Sequence, residues 1–257
     1  MGLFDRSADK LSERTTLLLA ADPGDMLMDA ARLYDPNVRP WHGRLVFRNG
    51  VLLFGPVPVT PKLEQQAGLP VGMAVAYYTG AAAVQTSREK RSHEAKHSDG
   101  DELVHGLADR LGGTVKYAGP PPDLTLTPAV YGEQAVPPDQ VIEVLRPYSG
   151  DLRREDLTEN SYFLSGEGTY FHATYWSPRL YLEPYAPPAL GALRSRPLHH
   201  WDLHMGADRK SIAGEPLGSE LIGRVGDAAF ALAGRCGGVV IDEFGFPVNS
   251  THDLFPC

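Results

Sequence analysis

Leu107-Ala108-Asp109-Arg110-Leu111-Gly112-Gly113-Thr114-Val115 returns as Leu232-Ala233-Gly234-Arg235-Cys236-Gly237-Gly238-Val239-Val240, with six of nine positions identical. The copies are offset by 125 residues, close to half of the 257-residue chain. Each copy reads as the end of a unit. Leu103, Val104, Leu107, Ala108 and Leu111 form one apolar stripe at helical spacing. Gly112 suits the left-handed turn that stops a helix, Gly113 frees the chain, and Thr114-Val115-Lys116-Tyr117 is a short β-branched strand. The second copy repeats this grammar, with Ser219 as N-cap, a stripe from Leu221 to Cys236, Gly237-Gly238 as the stop and Val239-Val240-Ile241 as the strand. Upstream, Tyr77-Tyr78-Thr79-Gly80 aligns with Leu203-His204-Met205-Gly206 by its distance from the glycine pair. Internal duplication is the expectation.

Working outward, Thr15 to Ala20 reads as a buried strand. Asp22-Pro23 then opens a helix whose apolar face is Met26, Leu27, Ala30 and Leu33. Arg44–Phe47 and Val51–Phe54 flank Asn49-Gly50, a strong hairpin turn. Met73 to Tyr78 is a further strand, and 87–101 a charged loop. In the second half Val141–Leu145 reads as a strand, 151–164 as a helix, 169–176 and 179–185 as a hairpin, and 198–205 as a strand. The fold class expected is therefore α+β: two tandem ferredoxin-like halves of order β-α-β-β-β-α-β, antiparallel sheets with helices on one face. The divisions are a polar lead-in at 1–14, a first half at 15–119, a Pro-rich linker at 120–140, a second half at 141–248 and a tail at 249–257.

Composition excludes several classes. With 24 basic against 32 acidic residues the chain carries net −8, which repels phosphate backbones, so no nucleic-acid partner is expected. No apolar run reaches the ~18–20 residues of a membrane span. The two cysteines, Cys236 and Cys257, do not make a disulfide framework, which points to a reducing cytoplasm, and the Pro-, Gly- and Arg-rich usage to a bacterium. Phosphate-binding glycine loops and a G-x-S-x-G elbow are absent from the sequence.

Three constellations carry candidate chemistry. His93, Glu94 and His97 match H-E-x-x-H, but the flanks are charged and Lys96 falls between the ligands, so a solvated loop is expected. His200, Asp202 and His204 alternate onto one face of a strand, as metal or acid–base residues would. The competing expectation is that this face is the solvent side of an antiparallel sheet. Tyr170, His172, Trp176 and Tyr181 crowd the neighbouring hairpin, the residue types that anchor ligands and protein partners. The function expected is a non-enzymatic, cytoplasmic bacterial binding protein of a defence or toxin-neutralising kind. It takes a protein partner or small ligand and needs no cofactor. The alternative is a metal-dependent enzyme or metal-binding protein holding a divalent transition metal on the 199–204 strand.

Overall fold

The computed structural model describes residues 3–81, 93–119, 127–166, 171–178, 186–205 and 219–254. The chain divides into two compact units, Met1–Asp123 and Leu124–Cys257, each an α+β assembly on one antiparallel sheet.

The first unit runs α1 (Leu3–Glu13), β1 (Thr16–Leu19), α2 (Asp25–Tyr34), β2 (Arg39–Pro40), β3 (Arg44–Val46), β4 (Val51–Pro58), α3 (Pro61–Ala67), β5 (Val75–Ala81), α4 (His93–Leu111) and β6 (Thr114–Lys116). Its strands lie in the order β2-β3-β4-β5-β1-β6. β1 is buried at all four positions, which is why Leu17, Leu18 and Leu19 follow one another rather than alternating with polar residues. Leu18 and Ala76 face α1 and α3, packing with Ala8, Leu11, Leu63 and Ala67. Thr79, of opposite parity to Ala76 on β5, lies against Gly100 of α4. Helices therefore cover both faces of this sheet, not one.

The second unit runs β7 (Ala129–Gly132), α5 (Pro138–Ser149), β8 (Leu152–Thr158), β9 (Ser161–Gly166), β10 (Phe171–Trp176), a 3-10 helix at Pro188–Ser195, β11 (His199–Met205), α6 (Ser219–Cys236), β12 (Gly238–Ile241), β13 (Pro247–Val248) and α7 (Thr251–Leu254). The strand order is β13-β12-β7-β11-β10-β9-β8. Val130, Trp201 and Leu203 turn to one face, where they pack with Val141 and Leu145 of α5 and Leu232 and Cys236 of α6. Ala129, Tyr131 and Ile241 turn to the other, under Leu190 of the 3-10 helix.

When β1 is matched to β7 and each later strand to its successor, the two sheets have the same order across six strands. The glycine pairs behave alike too. Gly112 and Gly237 take φ of 63° and 61°, the left-handed stop. Gly113 and Gly238 press on the central strand, where a Cβ would stand 2.8 Å from the Leu18 carbonyl oxygen or 2.4 Å from that of Tyr131. Register refines the sequence alignment. Leu17 pairs with Tyr77 and Val115, and Val130 pairs with Trp201 and Val240. Tyr77 therefore corresponds to Trp201, not to Leu203 as the Gly80–Gly206 spacing suggested. A slip of two residues keeps the same face toward the core, so the pattern alone could not detect it.

Several expectations change. The lead-in is a helix with Leu11 fully buried. α2 begins at Asp25, and Asp22 instead accepts the Gly24 N–H at 3.0 Å. The buried face of α2 is Leu27, Ala30, Ala31 and Tyr34, and Met26 and Leu33 are 61% and 50% exposed. The charged loop is the start of α4 from residue 93 on. The Pro-rich 120–140 stretch supplies β7, paired on both sides at the middle of the sheet. Val141–Leu145 lies in α5, where Val141, Leu145 and Ser149 are buried at fourfold spacing; its β-branched composition had suggested a strand. The 151–164 stretch is the β8–β9 hairpin, β13 extends the second sheet at Pro247–Val248, and the tail holds α7. The 179–185 strand lies outside the described residues.

Candidate functional site

β11 lies between β7 and β10, so its side chains meet partners from both. His200 stands opposite Tyr131 and Trp176, Asp202 opposite Thr174, and His204 opposite His172. The three share a face, as read from the alternation, but that face is not a solvent side: His200 is only 5% exposed. The Tyr131 ring lies parallel to the His200 imidazole, 4.4 Å between centroids. Asp202 Oδ1 is 2.7 Å from His200 Nε2, and the Trp176 indole N–H donates to Asp202 Oδ2 at 3.1 Å. Burial pushes the Asp202 carboxyl up, but the hydrogen bond and charge of His200, then His204 and the indole, outweigh it and hold the group below its ordinary value. His204 is pushed down, chiefly by burial, and its Nδ1 lies 3.3 Å from Thr127 Oγ1. His172 stacks on Phe163, and its shielded Nδ1 has no hydrogen-bond partner among the described residues.

This network is closed on itself. Both Asp202 oxygens are engaged, and direct contact with His200 fills the space an ion between them would need. Among the described residues no group of three or more His, Cys, Asp or Glu is placed to hold a metal ion. The H-E-x-x-H residues His93, Glu94 and His97 fall in the first turns of α4, a helix rather than the expected loop. Their side chains lie outside the described residues, as do Tyr170 and Tyr181. Trp176, expected as a binding anchor, spends its indole N–H on Asp202. The Cys236 thiol is pushed up to about 11 by burial, which makes it a poor nucleophile.

Sequence reasoning missed a cleft on the α5 side of the same sheet. It has a volume of about 380 Å³ and lies between the Ala135–Pro138 turn that opens α5 and the β8–β9 hairpin. Tyr162 and Tyr175 line it, stacked 4.7 Å apart. The Tyr162 hydroxyl accepts from the Trp201 indole at 3.3 Å, and the Tyr175 hydroxyl lies 2.7 Å from His199 Nδ1. Arg154 sits over the Tyr162 ring and reaches Asp156 at 2.6 Å. Burial pushes the Tyr162 phenol up to about 12, raises Tyr175, and lowers His199. At neutral pH the cleft thus presents two protonated phenols, the Arg154 guanidinium, the carboxyl groups of Asp156 and Glu159 and the hydroxyls of Thr158, Ser161 and Ser177. The signal for it was present in Glu159-Asn160, a polar turn within what was read as a helix.

Compared with known proteins, the chain matches no family model, no curated protein and no solved structure.

Proposed function

We propose that this is a non-enzymatic binding protein, two ferredoxin-like halves descended from one duplicated unit, whose second half grips a polypeptide segment in the Tyr162–Tyr175 cleft. Duplication is supported by the shared six-strand order and by the equivalent glycine pairs. A split β-α-β arrangement, with α4 joining β5 to β6 around β1, supports the ferredoxin-like reading. The observation that carries the binding role is the cleft's lining. It combines a stacked aromatic wall with donors and acceptors already oriented by neighbours, as recognition sites do. Pre-ordered rings and hydroxyls lower the entropy cost of capture. The role we assign is capture of a protein in the bacterial cytoplasm, as a toxin-neutralising component would do. The metal-dependent alternative has less support, because His200 and Asp202 are spent on each other.

A photo-crosslinking amino acid at Asn160, on the cleft rim, tests the proposal in cells of the protein's own source, with Gln66 on α3 as control. A discrete adduct at Asn160, absent at Gln66 and lost with Tyr175→Ala, is expected. Equal labelling at both sites, or an adduct indifferent to Tyr175→Ala, refutes the cleft. Stoichiometric zinc, iron or nickel in the purified protein, lost on His200→Ala with His204→Ala, would overturn the non-enzymatic reading in favour of the metal site.

A further inference from the structure

Residues 36–62 carry Arg39, Arg44, Arg48 and Lys62 and not one acidic residue, in a chain of net −8. This segment bears +4 and the rest of the chain −12 (−8 less +4). Its strands β2, β3 and β4 lie side by side at one edge of the first sheet. There Trp41-His42-Gly43-Arg44 closes a two-residue turn, with φ of 48° at His42 and 71° at Gly43 and a 2.8 Å bond from the Trp41 N–H to the Arg44 carbonyl. Positive φ at both central residues matches the twist of the flanking strands and sets Trp41 opposite Arg44.

The side chains then stack in a row. The Arg44 guanidinium lies 4.0 Å from the Trp41 ring and 5.5 Å from that of Phe54. Phe54 stacks on Tyr78 at 5.2 Å, and Lys10 of α1 sits over Tyr78 at 5.7 Å. Trp41 remains 52% exposed. Among the described residues the Arg44 guanidinium has no carboxylate or hydrogen-bond acceptor, and its Nε is shielded from solvent. A cation clamped between two rings and left without a counter-charge has paid its ordering cost in advance and lacks only an anion.

We propose that the Trp41–Arg44 turn docks a carboxylate-bearing peptide segment of a protein partner, with the carboxylate on the guanidinium fork and an apolar side chain on the exposed indole. Tryptophan and arginine are the residues that dominate such contacts. A peptide fits better than a nucleic acid. A phosphate strand needs a continuous track of cations, whereas the chain outside this segment is net −12. The turn belongs to the first unit, so this inference is independent of the cleft.

The probe is a fluorescein-labelled dodecapeptide alternating glutamate and leucine, titrated into the full chain and followed by anisotropy. Its lysine–leucine counterpart and a 12-mer of thymidylate serve as competitors. Binding of the glutamate peptide is expected, at least tenfold weaker for Arg44→Gln and for Trp41→Ala, unchanged for Arg32→Gln and weakened by salt. Amide exchange should slow at 39–48 on binding. Trp41 is exposed, so its variant tests the site even if Arg44→Gln fails to fold. No binding of the glutamate peptide, equal binding by Arg44→Gln, tighter binding of the lysine peptide, or tighter binding of the oligonucleotide would each overturn the proposal.

Discussion

Gly238→Ala should destabilise the second unit more than Gly237→Ala one residue earlier, although neither glycine contacts the cleft. A Cβ at Gly238 would lie 2.4 Å from the Tyr131 carbonyl oxygen, 2.8 Å from Cys236 Sγ and 3.0 Å from Gly132 Cα. Two of these are backbone atoms of β7, paired to β11 on its far side, so no side-chain rotation relieves them. Overpacking of this kind costs about 1–3 kcal/mol, and the rigid obstacles place Gly238→Ala near ~3 kcal/mol. Gly237 has φ of 61° and nothing nearer than 3.4 Å, so its substitution carries only the left-handed penalty. That penalty is about 1–2 kcal/mol. Gly113→Ala should fall below Gly238→Ala, near ~2 kcal/mol, because its closest obstacle at 2.6 Å is the movable Cδ2 of Leu19. For a unit of this size each kcal/mol lowers Tm by roughly 3–4 °C. Urea unfolding read by emission from the fully buried Trp201, together with amide exchange in β7 and β12, measures the second-unit pair. Amide exchange in β1 and β6 measures Gly113→Ala. A Gly238→Ala cost within about 0.5 kcal/mol of wild type, or one below that of Gly237→Ala, would refute the packing argument.

His199 and His204 are both held below their ordinary value of 6.5, chiefly by burial. The unfolded chain therefore binds protons first, and the stability they contribute is present above pH ~6.5 and lost as pH falls through their lowered values. Melts should show a lower Tm at pH 5.5 than at 7.5, and a smaller difference in the His199→Asn, His204→Asn double variant. Asp202→Ala strips the acceptor from the Trp176 indole and the partner from His200, at a cost of about 2–3 kcal/mol, whereas Asp202→Asn retains one acceptor and costs about 1 kcal/mol. Equal costs by denaturant titration would mean the network holds nothing together. Asp242 Oδ1 accepts the N–H groups of Phe244 and Phe246 at the β12–β13 turn. Its alanine variant should lose about 2 kcal/mol and expose the Phe246 amide to exchange, and protection as in wild type would contradict this.

The closing units were legible in the sequence because everything that makes them is local. A 3.6-residue stripe, a glycine with positive φ and a β-branched run each act within a few residues, so Leu107–Val115 and Leu232–Val240 announced themselves. The hairpin at Asn49-Gly50 was legible for the same reason, its Gly50 taking φ of 85°. Val141–Leu145 misled because β-branched residues were read as a strand, while Pro137-Pro138 had already set the first turn of a helix. With β8 and β9 read as helix, Arg154 and Tyr162 had no route to Tyr175, and the cleft went unseen.

What the sequence by itself determined is the pair of glycine-closed helix–strand ends and the alternation that puts His200, Asp202 and His204 on one face. Only the tertiary structure decided that Ala129–Gly132, four residues inside a proline-rich stretch, becomes a central strand, and that His200 on the histidine face is buried. Alternation separates two faces but does not say which is covered. That depends on strands and helices distant in the chain, whose pairing is settled by the burial of the whole sheet.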